Sequence, residues 1–164
     1  IMEEQKYFTP NVEDFHKGYE YEILELHREN YHVGFNNIIS KWIPKKWDSS
    51  QIRLNKLACK ITSKEIRVPY LTKKQIEAEG WKVENFPYNI IKGVKNTGIY
   101  DLNDDMTGIE YNLFYRFENK RLSIESYIIN YGKADRPYKG VNCIYFGECK
   151  DINTFRYICK LLEI

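Results

Sequence analysis

From Tyr19 the chain alternates: Tyr19, Tyr21 and Ile23 are apolar, and Glu20 and Glu22 between them are charged. A period of two sends successive side chains to opposite faces of a strand, so residues 19–26 read as a half-buried strand. The alternation slips at Leu24 and Leu26, which allows a bulge or a change of register. Residues 36–43 read as a second strand stopped by Pro44, and residues 43–50 as a loop with lysines and Trp47 at its centre. The period then changes. Leu54, Leu57, Ala58 and Ile61 recur at helical spacing, with Arg53, Lys56, Lys60 and Lys64 on an adjoining face, since seven or eight residues make about two turns. Ser49 or Ser50 is placed to cap this helix, and strand is the alternative for its last few residues.

Local signals punctuate the rest. Thr9-Pro10 opens a short helix that Gly18 bounds. Thr72 and Gln75 have capping-box spacing and Leu71 and Ile76 have hydrophobic-staple spacing, with Gly80 set to end that helix and Trp81 to anchor it to the core. Residues 109–117 and 122–129 form a hairpin around Asn119-Lys120, where asparagine tolerates the positive φ of a tight turn. Residues 141–146 are a further strand, after a loop holding Asp135-Arg136-Pro137. Asp151 then caps a terminal helix whose buried stripe is Ile152, Phe155, Ile158, Leu161 and Leu162. Strands clustered in sequence with helices at their flanks predict an α+β fold: an antiparallel sheet with two or three flanking helices, the C-terminal one packed on the sheet. A chain of 164 residues fits a single domain, 1–164.

Charge changes the picture. Residues 41–74 hold ten basic and two acidic residues, whereas residues 1–40 hold three basic and eight acidic, and the remainder is nearly balanced, leaving a net +2 overall. A nearly neutral chain is therefore strongly polarised along its length. The basic segment also carries Trp42, Trp47 and Tyr70. Cations interleaved with flat aromatic faces suit an anionic partner that has rings, a nucleotide or a nucleic acid. The plain alternative is a solvated lysine face with two tryptophans in the core. Aromatics are 15% of the chain, mostly tyrosine, which suits a half-exposed sheet.

Other chemistry is less well supported. Asp101, Asn103 and Asp105 alternate as an oxygen-ligand loop requires, but Met106 stands where the sharp turn needs glycine and Asn112 where a bidentate glutamate is needed. His27 and His32 fall on opposite faces of a continuing strand, so no metal site is assigned. Gly93-Val-Lys-Asn-Thr-Gly98 lacks the ending of a phosphate loop and reads as a turn. No nucleophile motif accompanies His16, His27 and His32, so a small hydrolase is the least favoured class and no cofactor is called for. Cys59, Cys143, Cys149 and Cys159 form no C-x-x-C pair, and no secretory segment is read ahead of them; they read as free thiols of a reducing cytoplasm. No apolar run approaches the roughly 20 residues of a membrane span.

Three segments carry a resemblance: Phe8-Thr-Pro-Asn-Val-Glu-Asp14, Ile66-Arg-Val-Pro-Tyr-Leu-Thr-Lys-Lys-Gln-Ile-Glu-Ala-Glu-Gly-Trp81 and Gly147-Glu-Cys-Lys-Asp-Ile-Asn-Thr-Phe-Arg-Tyr-Ile-Cys-Lys-Leu-Leu162. Together they resemble a group of short uncharacterised proteins of tailed phages and mobile elements of Bacteroides-like gut bacteria. The resemblance covers about a quarter of the chain, carries no catalytic residues over, and leaves residues 83–141 unmatched. It implies work in the cytoplasm of an infected bacterium, and an anti-defence role that acts by binding rather than by chemistry, such as sequestering a nucleotide signal.

The resulting expectation is a non-enzymatic binding protein for an anionic, ring-bearing ligand. Lys45, Lys46, Arg53 and Arg67 pair with phosphates, Trp42, Trp47 and Tyr70 stack or wall the pocket, and Tyr138 and Lys139 close it. The alternatives are a nucleic-acid binder using the helix of Arg53, Lys56, Lys60 and Lys64, and a protein-interaction inhibitor of a host enzyme. Pockets of such binders often lie between subunits, so a homo-oligomer is open.

Overall fold

The computed structural model describes residues 6–30, 36–48, 54–102, 105–130 and 138–164. The fold is α+β, with two antiparallel sheets and three α-helices among the described residues. The chain divides into two compact units, Ile1–Tyr70 and Leu71–Ile164.

The first unit is a four-stranded sheet in the order β1-β4-β2-β3, built from β1 (Tyr7–Phe8), β2 (Glu20–Asn30), β3 (Asn36–Lys46) and β4 (Ile66–Pro69), with helix α1 (Leu54–Thr62). The Thr9-Pro10 signal yields one 3-10 turn, Val12–Asp14, closed by Asn11 and Asp14. Gly18 turns the chain into β2 with φ +87°. Tyr21 and Ile23 send their side chains to one face, where Leu57 of α1, Ile66, Val68, Tyr19 and Trp47 complete a buried core. The helix therefore covers that face. Glu20, Glu22, Trp42, Lys46 and Arg67 occupy the alternate positions and so the opposite face.

Pro44 does not stop β3, which continues to Lys46 with Pro44 opposite Glu22. Among the described residues strand β3 has a neighbour on one side alone, and an edge strand accepts proline where the missing N–H would have faced outward. The first four residues of the expected 43–50 loop are thus strand. Its last two residues, 49 and 50, and Arg53 lie outside the described residues.

The second unit is a five-stranded sheet in sequential order, β5 (Lys82–Phe86), β6 (Ile90–Leu102), β7 (Asp105–Arg116), β8 (Arg121–Asn130) and β9 (Tyr138–Glu148). Helices α2 (Lys73–Ala78) and α3 (Ile152–Leu161) belong to it. Thr72 and Gln75 form the expected capping box, Gly80 adopts φ +86°, and Leu71, Ile76 and Trp81 are all buried. Asp151 caps α3 by accepting the N–H groups of Asn153 and Thr154. Ile152, Phe155 and Ile158 dock onto Ile91, Leu113, Tyr115, Leu122 and Ile124, one face of the sheet. Leu161, expected in the stripe, is 64% exposed, and Cys159 takes the buried position instead.

Two further expectations give way. Gly93–Gly98 is not a turn but part of β6, with a register shift between Asn96 and Ile99. In the β7–β8 turn the positive φ falls on Lys120, at 54°, while the Asn119 side chain accepts the Arg121 N–H. Asn103 lies outside the described residues. Asp101 and Asp105, the other two positions of the oxygen-ligand pattern, belong to paired strands of the β6–β7 hairpin.

Candidate functional site

The four-stranded sheet assembles an aromatic–cation stack from three strands. Arg67 of β4 lies opposite Glu22 of β2. Its guanidinium carbon sits 3.5 Å from the centre of the Tyr7 ring and 4.1 Å from that of Trp42. Its Nε–H donates to the Glu22 carboxylate at 2.7 Å. Arginine stacks well on aromatic faces because its charge is delocalised over a plane and weakly hydrated. Glu22 fixes the in-plane orientation, and one carboxylate engages at most two of the five N–H donors. Tyr7, Trp42 and Arg67 are each partly exposed, so the stack is a positioned cation between rings on a face open to solvent.

Strand parity separates the other predicted residues. Lys46 shares the face of Trp42 and Arg67 and pairs with Glu20 at 3.2 Å. Lys45 points to the opposite face and pairs with Glu25 at 3.2 Å. Trp47 is 5% exposed, edge-on to Phe15 with ring centres 5.5 Å apart, and is a core residue. Tyr70 packs on Phe8, ring centres 5.2 Å apart. Arg53 and the side chains of Tyr138 and Lys139 lie outside the described residues. The structure therefore brings together Trp42 and Arg67, adds Tyr7, sets Lys46 on the same face, and places Lys45 and Trp47 on the α1 side.

Part of the charge polarisation of the chain is internal. The acidic β2 runs between the basic β3 and β4, so Glu20, Glu22 and Glu25 meet Lys46, Arg67 and Lys45 across the sheet. On α1, Lys60 turns to Glu65 at 2.8 Å while Lys56 is exposed. An open cleft of about 470 Å³ lies beside that pair, lined by Leu24, Glu25, Leu26, Lys60 and Glu65.

His16 is exposed, and the side chains of His27 and His32 lie outside the described residues. Among the described residues no three acidic, histidine or cysteine side chains group as a metal would need. Cys59 and Cys143 are exposed and Cys149 and Cys159 are buried, all as free thiols. Burial pushes the Cys159 thiol up to about 11 and raises that of Cys149 further. Both are therefore core groups held protonated rather than nucleophiles. Among the described residues no helix is long and apolar enough to cross a membrane.

The chain matches no protein-family model, no curated protein and no solved structure.

Tyr7 is the member of the stack that the sequence reading missed. Its signal was faint: it precedes Phe8 in a two-residue strand, and only the pairing of β1 with β4, which sets Tyr7 opposite Pro69, brings its ring onto Arg67.

Proposed function

We propose that this protein binds an anionic ligand bearing planar rings, a nucleotide or a nucleotide-derived signal, on the open face of the four-stranded sheet. The observation that carries this reading is the guanidinium of Arg67 held between Tyr7 and Trp42. Phosphate takes N–H donors that Glu22 leaves, Lys46 adds charge from the same face, and the ligand's rings extend the aromatic stack. The resemblance to phage-borne proteins fits a sponge in the cytoplasm of an infected bacterium, removing a signal by stoichiometric binding without turnover.

Calorimetric titration with AMP, ADP-ribose and cyclic dinucleotides tests this. One of these ligands is expected to bind saturably and to be recovered intact after prolonged incubation. Arg67→Gln and Trp42→Ala should each weaken that binding at least tenfold. Recovery of a degraded ligand makes the protein an enzyme and ends the sponge reading. Binding that ignores both substitutions moves the site elsewhere.

A further inference from the structure

The open face of the five-stranded sheet has a different character. Helices α2 and α3 take one face through Ile91, Leu113, Tyr115, Leu122 and Ile124. The alternate positions form two cross-strand rows near the β7–β8 turn. One row runs Glu84, Lys92, Phe114, Ser123, Phe146, and the next runs Phe86, Ile90, Arg116, Arg121, Glu148. Phe86 is 46% and Phe146 61% exposed, and the rings of Phe86 and Phe114 meet edge-on with centres 6.1 Å apart. Three phenylalanines thus cross the sheet from one edge strand to the other.

Arg116 and Arg121 lie directly opposite each other. Like charges in that relation destabilise a sheet. Glu148, next in the row, pairs instead with Lys150 at 3.3 Å, and among the described residues neither arginine has an ion-pair partner. Arg121 lies 5.4 Å above the Phe146 ring. These two residues also line an open cleft of about 550 Å³ with Asn119, Gly147 and Glu148. Two opposed, uncompensated guanidiniums among exposed rings are the arrangement an anionic polymer with flat bases neutralises and covers.

We infer that this face is a platform for single-stranded nucleic acid. Bases stack on Phe146, Phe114 and Phe86, and Arg116 and Arg121 hold phosphates of the connecting backbone. Phe114 and Phe146 stand on alternate strands, roughly 10 Å or two strand spacings apart, and Phe86 closes edge-on against Phe114, so an extended strand crossing the sheet meets Phe146 and then the Phe114–Phe86 pair. A duplex, whose bases are already stacked, has no use for the rings.

The test is fluorescence anisotropy of labelled ten-nucleotide DNA and RNA strands with the full chain, from 50 to 200 mM salt. The wild type should bind, with affinity falling as salt rises, and an unlabelled duplex should compete poorly. Arg116→Gln with Arg121→Gln should weaken binding at least tenfold and flatten the logarithmic salt slope by about 1.4, two phosphates at ~0.7 each. Phe146→Leu should cost roughly 5- to 150-fold, the loss of one stacked base, and Phe146→Tyr should keep the affinity. All three positions are exposed, and a thermal melt confirms that the variants fold. No binding at 50 mM salt, or variants equal to wild type, overturns the inference. So does self-association in sedimentation that Phe146→Leu abolishes, which would make the face a contact between copies of this chain. Because Arg67 and Trp42 play no part in this test, its failure and that of the nucleotide reading are separable.

Discussion

Gly93 runs under Trp81, where a Cβ would stand 3.3 Å from the indole and 3.4 Å from Leu113. Both neighbours are buried, so neither yields easily. A methyl there restrains the unfolded chain to the gain of about 0.4–1 kcal/mol, but overpacking costs about 1–3 kcal/mol. Gly93→Ala should therefore be destabilised by about 1–2 kcal/mol in urea unfolding. Gly147 differs. Its Cβ would meet the Tyr145 hydroxyl at 2.6 Å, but that is the tip of a side chain whose hydrogen bond to the Glu148 carbonyl can be given up. Gly147→Ala should lose no more than about 1.5 kcal/mol, the worth of one hydrogen bond. The two tryptophans of the basic segment divide in the same way. Trp47→Ala should cost about 3–5 kcal/mol as a core truncation, and the half-exposed Trp42 markedly less.

At the scale of elements, helix starts were legible because their chemistry is local. Asp151 holds two orphan N–H groups of α3 and is itself 4% exposed. Asp151→Ala should lose about 1–2 kcal/mol, read from the urea midpoint, whereas Leu161→Lys on the exposed side should stay within about 0.5 kcal/mol. Thr72, Gln75, Leu71 and Ile76 were readable for the same reason: partners lie within five residues. Strand parity was not. Whether Lys45 or Lys46 joins Arg67 depends on the register of β3 against β2, and Pro44 concealed that β3 continued. Strand β6 was hidden because Gly93 and Gly98 resemble turn residues, and its pairing with β7 decides the matter through contacts beyond any local window. The platform of Phe86, Phe114 and Phe146 went unread because its members are 28 and 32 residues apart and converge only through four strand registers.

At the scale of the whole molecule, opposed charges that looked like a ligand's signature along the chain are in part spent on one another in the first unit, at Lys45, Lys46, Lys60 and Arg67. Exposed pairs of this kind add little stability, so raising the salt concentration should barely move the melting point. Alkali is a different matter. Above the ordinary thiol value of 9.0 the unfolded chain loses protons that the folded chain keeps, to about 11 at Cys159 and beyond at Cys149. The unfolded state then binds fewer protons, so the contribution is intact below pH 9 and stability falls as pH rises from there through 11. Urea midpoints at pH 8 and 10 should show the fall, and Cys159→Ala should make it shallower.

The three tryptophans occupy three different surroundings: Trp47 in the core of the first unit, Trp81 in that of the second, and Trp42 half-exposed on the stacked face. The molecule thereby carries its own optical labels. Trp47 and Trp81 should emit toward the blue and resist an aqueous quencher, and Trp42 should emit toward the red and yield to it. Phenylalanine substitutions taken two at a time leave one emitter each, so a single spectrometer can watch either interior loosen, or the open face being occupied, without a dye attached.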